Sequence, residues 1–211
     1  KGFLRPAEGR PNLRVFTHSQ VKTLRLDGAR VTGLELRQDG AAASIRARGE
    51  VILSAGSIGS VQILQLSGIG DGADLRAAGV ETRHALPGVG KNLQDHLQIR
   101  CIYKIDGAKT LNEQANSLIG KMGIGLQYAL FRSGPMSMAP SQLGAFARTD
   151  TAMETPNVEY HVKPLSLDKF GEPLHPFPAF TASVCNLRPQ SRGHVAITTP
   201  DPFAHPEIQP N

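Results

Sequence analysis

Apolar positions between residues 50 and 70 predict a strand, a turn and a helix, in that order. Residues 50–54 form a short apolar run rich in β-branched side chains, the pattern of a buried strand in a covered sheet. Ala55 and Gly56 follow as a small-residue turn, and apolar side chains then recur at helical spacing. Gly68 predicts the end of that helix, because glycine adopts the left-handed conformation of a helix C-cap without steric cost.

Alternating apolar and polar residues upstream of this stretch predict an antiparallel meander. Asp27-Gly28 lies between two alternating segments and is a hairpin signal. The predicted strands cover residues 13–17, 20–26, 31–37 and 42–48.

The second half of the chain predicts a long helical segment among several strands. Residues 111–132 have apolar side chains at helical spacing, although Gly120, Gly123 and Gly125 each weaken a helix by about 1 kcal/mol relative to alanine. A shorter helix is predicted at 71–78, with Asp71 as its N-cap. The predicted strands cover residues 98–105, 142–148, 157–163, 179–187 and 194–198.

Composition places the chain among ordinary globular proteins. It has 211 residues, of which 40% are hydrophobic and 19% are charged, so a sizeable core can form. The net charge of +5 does not indicate a nucleic-acid partner, because the basic residues are scattered singly without interleaved aromatic residues. No apolar stretch approaches the length of a membrane span, and no secretory signal is visible.

Cysteine and histidine usage argues against a disulfide and against a metal site. Cys101 and Cys185 are far apart in apolar, strand-like segments, so we expect buried free thiols and a reducing cytoplasm as the location. No pair among the seven histidines has convincing metal-ligand spacing, and two cysteines are few for a zinc site. We therefore expect no metal.

The turn at Ala55-Gly56 has the chemistry of an anion site. A helix N-terminus presents backbone N–H groups and the positive end of the helix dipole, which together suit a pyrophosphate. Small residues at the turn allow the backbone to approach a phosphate closely. The pattern by itself is common in α/β proteins, so more of the sequence is needed to interpret it.

The longer motif is more specific. It reads Gly56-Ser57-x-x-Ser60-x-x-Ile63-Leu64-x-x-Ser67-Gly68-Ile69-Gly70, and the segment 88–96 follows as Gly-Val-Gly-Lys-Asn-Leu-Gln-Asp-His. Together these motifs resemble the glucose–methanol–choline (GMC) family of FAD-dependent oxidoreductases, in particular its choline dehydrogenase and bacterial alcohol dehydrogenase branch. Val61 departs from the pattern, since the family commonly has proline there. The resemblance extends from Leu4 to Asn211.

The resemblance implies an α+β fold in two domains. Residues 1–96 are expected to be part of an α/β FAD-binding domain, comprising the meander, the strand–turn–helix and a loop close to the flavin. Residues 97–211 are expected to form a substrate-binding domain, built as an antiparallel sheet with helices on one side.

The resemblance also implies binding residues. The backbone at Val21 is expected to contact the adenosine half of FAD, Ala55 and Gly56 to approach the diphosphate or adenine, and Asn92 to contact the cofactor. His175 is the candidate for alcohol binding, although Pro176 stands where a glycine is common. From the residues alone, the favoured interpretation of Val21 is a core strand residue, and that of His175 is a loop histidine without a catalytic role.

The implied reaction is hydride transfer from a primary alcohol, choline-like or aliphatic, to FAD, which yields an aldehyde. The family's base is a histidine paired with a second His or Asn, and this pair is expected beyond Asn211. The Gly-x-Gly-x-x-Gly phosphate loop is missing too, and residues 56–59 do not replace it. The chain is therefore expected to be a middle fragment that is inactive by itself.

The alternative is a non-catalytic module that binds a ligand or another protein. The two hypotheses differ in whether the natural gene encodes the phosphate loop and the C-terminal histidine. The expected partner of the enzyme is a small-molecule alcohol, and nucleic acid is not expected. The sequence leaves open which alcohol is oxidised, whether dioxygen or a quinone-linked chain accepts the electrons, the oligomeric state, and membrane association of the full-length protein.

Overall fold

Two compact units make up the computed structural model, which describes residues 2–139, 141–169 and 171–211. The first unit comprises the residues up to Gln94 together with Ser191–Asn211, and the second comprises Asp95–Gln190. Both units contain antiparallel sheets and few helices, which confirms the predicted mixed class. The sequence places one boundary near residue 96, whereas the structure returns residues 191–211 to the first unit. The assignment of each part to cofactor or substrate stays a prediction.

The described residues form the following elements. The strands are β1 (Ser19–Asp27), β2 (Arg30–Gln38), β3 (Ala41–Arg46), β4 (Ile69–Gly70), β5 (His84–Ala85), β6 (Lys91–Leu93), β7 (Gln98–Lys104), β8 (Leu143–Ala147), β9 (Val158–Lys163), β10 (Ala179–Asn186), β11 (Gly193–Ala196) and β12 (Glu207–Gln209). The α-helices are α1 (Gly56–Leu66), α2 (Gly72–Ala77), α3 (Leu111–Asn116) and α4 (Leu118–Phe131). Short 3-10 helices lie at Arg5–Ala7 and Pro135–Ser137.

The meander β1-β2-β3 is antiparallel throughout. Asp27 pairs with Arg30, so β1 and β2 are joined by a two-residue turn. Gly28 occupies this turn with a φ of +56°, which confirms the predicted hairpin. Leu24 and Leu36, from β1 and β2, are the buried hydrophobic residues of the meander.

Helix α1 begins at Gly56 and buries its C-terminal half. Ile63 from α1 forms a core cluster with Leu24 and Ile69, and partly buried side chains of the meander pack around it. Gly68 ends the helix at a φ of +80°, and a Cβ there would overlap the carbonyl oxygen of Glu81. The predicted C-terminus of the helix is therefore confirmed, with both a conformational and a packing reason for glycine.

The strands predicted at 50–54 and 13–17 do not form. Both segments lie among the described residues, and neither has strand structure. A β-strand requires a neighbouring backbone to hydrogen-bond with, and neither segment is in any of the sheets. Val51 and Leu53 nevertheless pack against the core cluster of Leu24 and Ile63, as buried strand residues would.

Asp71 caps α2 as the sequence predicts. Its Oδ1 accepts hydrogen bonds from the backbone N–H groups of Ala73 at 2.8 Å and Asp74 at 3.3 Å. These two hydrogen bonds hold the pKa of Asp71 below its ordinary value of 3.8. Leu75 from the same helix is 1% exposed and packs with Leu66, Ala78 and Ile197.

Residues from the end of the chain complete the first unit. β11 lies between β12 and β6 in a three-stranded antiparallel sheet. The buried amide of Gln65 in α1 donates to the carbonyl of Val195 at 3.2 Å and accepts from the N–H of Ile197 at 2.9 Å. The strand predicted at 194–198 thus belongs to this sheet and not to the sheet of the second unit.

The second unit is built on a four-stranded antiparallel sheet in the order β7-β10-β9-β8. β10 alternates between buried and half-buried residues along its length. Its buried side chains are small, and the register places charged residues of β7 and β9 beside them on the same face. The buried residues of β10 are Ala179, Thr181, Ser183 and Cys185.

The predicted helix 111–132 is interrupted at Ser117. This residue is extended, with φ −90° and ψ 143°, so α3 ends before it and α4 begins after it. Ser117 caps α4 through its Oγ, which accepts from the N–H of Gly120 at 2.8 Å. A Cβ at Gly120 would overlap the carbonyl oxygen of Gln114, so this glycine permits the close approach of α3 and α4.

We expect Leu75→Ala to destabilise the chain by about 2–5 kcal/mol, because the truncation leaves a cavity among Leu66, Ala78 and Ile197. Urea unfolding followed by circular dichroism measures the change. Leu86→Ala is the control, since Leu86 is 46% exposed and should change stability much less. Equal losses in the two variants would contradict this core.

The Asp71 cap predicts a pH-dependent part of the stability. A depressed folded pKa stabilises the fold above the ordinary value of 3.8, and that contribution is lost as the pH falls through the folded pKa. Asp71→Asn should keep a capping acceptor while removing this dependence below about pH 4. Unfolding free energies of both proteins at several acidic pH values provide the test. Parallel curves for wild type and variant would show that Asp71 contributes nothing to acid sensitivity.

Candidate functional site

The N-terminal turn of α1 is open to solvent. Ala55 is the N-cap residue, and no side chain caps the helix there; its own N–H donates to Ser60 Oγ at 3.1 Å. Residues 55–59 are exposed. Gly56 has a φ of +78°, and a Cβ built on it would meet no atom within 4 Å. The first-turn N–H groups of α1 are therefore available to an anion, as the sequence predicts for a pyrophosphate.

Val21 lies in β1 opposite Leu36, immediately before a register shift in the β1–β2 ladder. Its side chain is half-buried and packs against the cluster of Leu24, Ile63 and Ile69. The interpretation of Val21 as a core strand residue is therefore confirmed for the side chain. Contact of its backbone with a cofactor stays a prediction.

Asn92 is the extra residue of a β-bulge. Leu93 pairs with Gly193 and Lys91 with His194, so Asn92 has no opposite residue in β11. Its φ is +64°, and it is exposed. Bulges redirect side chains and are frequent beside active sites. This geometry suits Asn92 for contact with a ligand.

The segments that carry these residues converge within the first unit. Val51 and Leu53 precede Ala55, and Val89 precedes Asn92, and all three pack against the same core cluster as Val21. Gly90 continues the last segment with a φ of +84°, and a Cβ there would overlap the carbonyl oxygen of Val195. Thus the four predicted cofactor residues, Val21, Ala55, Gly56 and Asn92, project from backbone segments that share one core.

His175 lies in the second unit and is held on both sides of its ring. Nδ1 lies 3.0 Å from Ser166 Oγ, and Nε2 lies 3.3 Å from Asp168 Oδ1. The ring also stacks on Phe177, with centroids 4.8 Å apart. The side chain is 17% exposed. These contacts make His175 an organiser of the loop that precedes β10.

The Ser166–His175–Asp168 series resembles a nucleophilic triad in composition, but its geometry is structural. Ser166 is fully buried, and its Oγ accepts from the amide of Asn112 at 2.8 Å. Asp168 is instead the solvent-exposed member of the three, at 76% exposure. A nucleophile must reach its substrate, so this serine is unsuited to attack.

Asn112 connects α3 with this loop. It is fully buried; its amide also donates to the carbonyl of Phe177 at 3.0 Å, and its carbonyl accepts from the N–H of Ser166 at 2.9 Å. The sequence pattern did not single out Asn112, Ser166 or Gln65. The sequence does contain a signal that locates Asn112. Thr110 and Glu113 form a capping box that begins α3 and fixes the position of Asn112.

A cavity of about 730 Å³ lies beside α3 in the second unit. This volume is within the range of small-molecule sites. Its lining combines polar groups from α3 and Ser117 with Pro135 and Met138 from the segment after α4. The lining residues with side chains that can hydrogen-bond are Lys109, Thr110, Glu113, Gln114, Ser117 and Gln142.

Both cysteines are free thiols, as expected, but only Cys185 is buried, whereas Cys101 is partly exposed. Cys185 pairs with Gln98 and Cys101 with Ala182, which places the two cysteines on opposite faces of the sheet. Burial raises the pKa of the Cys185 thiol, and the carboxylates of Glu159 and Asp95 raise it further. Among the described residues, no group of three or more His, Cys, Asp and Glu side chains is arranged to hold a metal ion.

Comparison with protein families matches the first part of the chain. Residues 1–98 match the GMC oxidoreductase family. Among curated relatives, the oxygen-dependent choline dehydrogenase of Photobacterium profundum is 38% identical over 209 residues, covering 99% of this chain and 37% of the relative. The oxygen-dependent choline dehydrogenase of Serratia proteamaculans is 37% identical over 210 residues, covering 99% of this chain and 38% of the relative. The chain thus spans little more than a third of these relatives.

Solved structures agree on the fold. Pyridoxine 4-oxidase from Mesorbium loti matches with a TM-score of 0.75 and 28% identity, covering 98% of this chain and 36% of that chain. Formate oxidase of Aspergillus oryzae matches with a TM-score of 0.85 and 22% identity, covering 96% of this chain and 40% of that chain. At 22% identity the second match is evidence for the fold alone.

We expect Asn112→Ala to destabilise the chain by roughly 2–5 kcal/mol, because it leaves the N–H of Ser166 and the carbonyl of Phe177 without their partner. Urea unfolding measures this loss. Asn116→Ala is the matched control on the same helix, since Asn116 is exposed while bonding to the carbonyl of His175. If Asn112→Ala is no worse than Asn116→Ala, the buried network does not organise the loop.

Proposed function

Because residues 1–98 match the GMC oxidoreductase family, we propose that this chain is part of an FAD-dependent enzyme of that family that oxidises a primary alcohol to an aldehyde. The observation that carries the proposal is the 38% identity to a choline dehydrogenase over 99% of the chain. A choline-like or aliphatic primary alcohol is the proposed substrate, because these relatives are named for choline. The chain alone is proposed to be inactive, since it spans 37% of the first of them.

The residues present fit FAD at the N-terminus of α1. The uncapped amides beside Ala55 and the open space at Gly56 suit a diphosphate, which carries negative charge and needs close backbone approach. Asn92, exposed on its bulge, is proposed to contact the same cofactor. Bound FAD would supply the acceptor for the hydride that leaves the alcohol.

His175 is proposed to contribute to alcohol binding from the loop before β10. Its contacts with Ser166 and Asp168 engage both ring nitrogens, so its proposed contribution is to hold the loop before β10 in place around the alcohol. The base that takes the hydroxyl proton is proposed to be a histidine, with a His or Asn partner, in a part of the relatives that this chain does not span. The cytoplasm is the proposed location.

Flavin binding tests this proposal in the full-length protein encoded by the natural gene. We expect a flavin absorbance spectrum after gel filtration, and anaerobic addition of choline or another primary alcohol should bleach it. This chain alone should carry little or no flavin. A full-length protein without flavin would overturn the enzyme proposal and favour a non-catalytic binding module.

Gly56→Val in the full-length protein tests the cofactor site itself. A β-branched residue is strained at a φ of +78° and places bulk beside the amides of the first helical turn, so we expect at least a roughly tenfold loss of bound flavin. Gly28→Val is the matched control, because Gly28 also has a positive φ and open space around it but lies in the β1–β2 turn. Equal flavin loss in both variants would attribute the effect to folding and remove the support for Gly56.

A further inference from the structure

The side-chain amide of Gln65 lies at the junction of three segments of the first unit: α1, residues 88–93 and β11. Gln65 belongs to α1 and is 3% exposed. Its Nε2 donates to the carbonyl oxygen of Val195 at 3.2 Å and lies 3.5 Å from the carbonyl oxygen of Val89. Its Oε1 accepts from the N–H of Ile197 at 2.9 Å. Both ends of the amide are thus engaged by backbone groups of the other two segments.

Residues 88–93 approach this amide closely. The N–H of Val195 donates to the carbonyl of Gly90 at 2.7 Å, so the segment is bonded to the same residue of β11 that Gln65 contacts. Gly90 has a φ of +84°, and a Cβ there would lie 2.7 Å from Gln65 Nε2 besides overlapping the carbonyl oxygen of Val195. The segment is therefore held at Gly90 by contacts that only glycine permits.

Asn92 follows two residues later on this segment. Lys91 and Leu93 pair with β11 on either side of it and leave it as the extra residue of the bulge, with a φ of +64°. A bulge redirects the side chain that it carries, so the direction of Asn92 depends on where its flanking residues are held. Because the segment is held at Gly90, the position of Asn92 depends on the amide of Gln65.

The other end of α1 carries the proposed diphosphate site. Gly56 and Gln65 are nine residues apart in one helix, which is about 14 Å along the helix axis. The C-terminus of α1 has a further anchor, since Ser67 Oγ accepts from the N–H of Leu24 at 2.8 Å. Loss of the Gln65 amide should therefore disturb residues 88–93 and leave the first turn of α1 in place.

We propose that Gln65 is a positioning residue for the cofactor. One FAD molecule that contacts both the first turn of α1 and Asn92 requires a fixed separation between them, and the Gln65 amide sets that separation. Gln65 acts without touching FAD, because its amide is buried and already hydrogen-bonded. The inference rests on the proposed FAD site at Ala55, Gly56 and Asn92.

Gln65→Met in the full-length protein tests the amide. Methionine keeps the approximate volume of the side chain but leaves the carbonyl of Val195 and the N–H of Ile197 without this partner. Flavin should still bind, with a shifted absorbance maximum, because the first turn of α1 is unchanged. We expect kcat to fall about tenfold or more, since small misplacements of reacting groups are costly, and KM for the alcohol to change less.

Gln62→Met is the matched control. Gln62 lies one turn earlier in α1 and donates its amide to the carbonyl of Ala204 at 2.8 Å, which is outside residues 88–93. The flavin spectrum and kcat of this variant should equal those of wild type. Equal changes in Gln62→Met and Gln65→Met would overturn the proposal, because loss of either amide would then have the same effect.

A double-mutant cycle with Asn92→Gly separates positioning from stability. Glycine accepts a φ of +64° and removes only the side chain. Asn92→Gly should lower kcat, and adding Gln65→Met should lower it no further, because the side chain that Gln65 positions is already absent. Additive losses, or an unchanged kcat in Asn92→Gly, would overturn the proposal.

Gly90→Ala disturbs the same contact independently and keeps the proposal testable if Gln65→Met fails to fold. The added Cβ meets both Gln65 Nε2 and the carbonyl oxygen of Val195, so we expect a shifted flavin spectrum. Gly88→Ala is its control, because a Cβ there meets no atom within 4 Å, and its spectrum should be unchanged. Equal spectra for Gly90→Ala and wild type would overturn this inference alone. A full-length wild type without flavin would overturn the proposed function and this inference together.

Discussion

The first unit depends on the buried amide of Gln65. This side chain is 3% exposed and hydrogen-bonds to Val195 and Ile197, which are 130 and 132 residues further along the chain. A buried backbone N–H or carbonyl without a partner is costly, so the amide must sit at one position between α1 and β11. The strand that Gln65 contacts, β11, also pairs with β6 through a bulge. One residue of α1 thereby joins β11, near the C-terminal end of the chain, to the N-terminal part of the first unit.

Ser67 performs a related task at the end of the same helix. Its Oγ donates to the carbonyl of Ile63 at 2.6 Å and accepts from the N–H of Leu24 at 2.8 Å, so the C-terminus of α1 is tied to β1. The two ends of α1 therefore differ in kind. The C-terminal end is buried and bonded to its neighbours, which makes the helix rigid, while the N-terminal turn at Ala55 and Gly56 is open and uncapped. A rigid helix with an open N-terminus is the arrangement that phosphate groups use in many cofactor sites.

The second unit shows how small polar residues can organise a loop. Asn112 and Ser166 are fully buried, and their mutual hydrogen bonds place His175 beside Phe177. In the same unit, Leu118, Ile119 and Met122 of α4 are exposed.

The sequence determined the features that depend on neighbouring residues. Asp27-Gly28 predicts the hairpin, Gly68 the end of α1 and Asp71 the cap of α2, because turns and caps are set by the conformational preferences and side chains of a few adjacent residues. The motif that begins at Gly56 likewise indicates the family, and the family match over residues 1–98 confirms it. The residues expected to bind FAD and alcohol stay predictions, since contact with a ligand depends on groups outside this chain.

Tertiary structure decided the features that depend on contacts with residues distant in the sequence. Residues 50–54 have strand composition, yet a strand exists only where another backbone supplies its hydrogen bonds. Ser117 interrupts a helical pattern because capping α4 and approaching α3 outweigh local propensity. The periodicity of residues 118–130 correctly predicted a helix with an apolar side, but it could not tell whether that side would face the core or solvent. Periodicity records which residues share a face, and only packing determines what that face contacts.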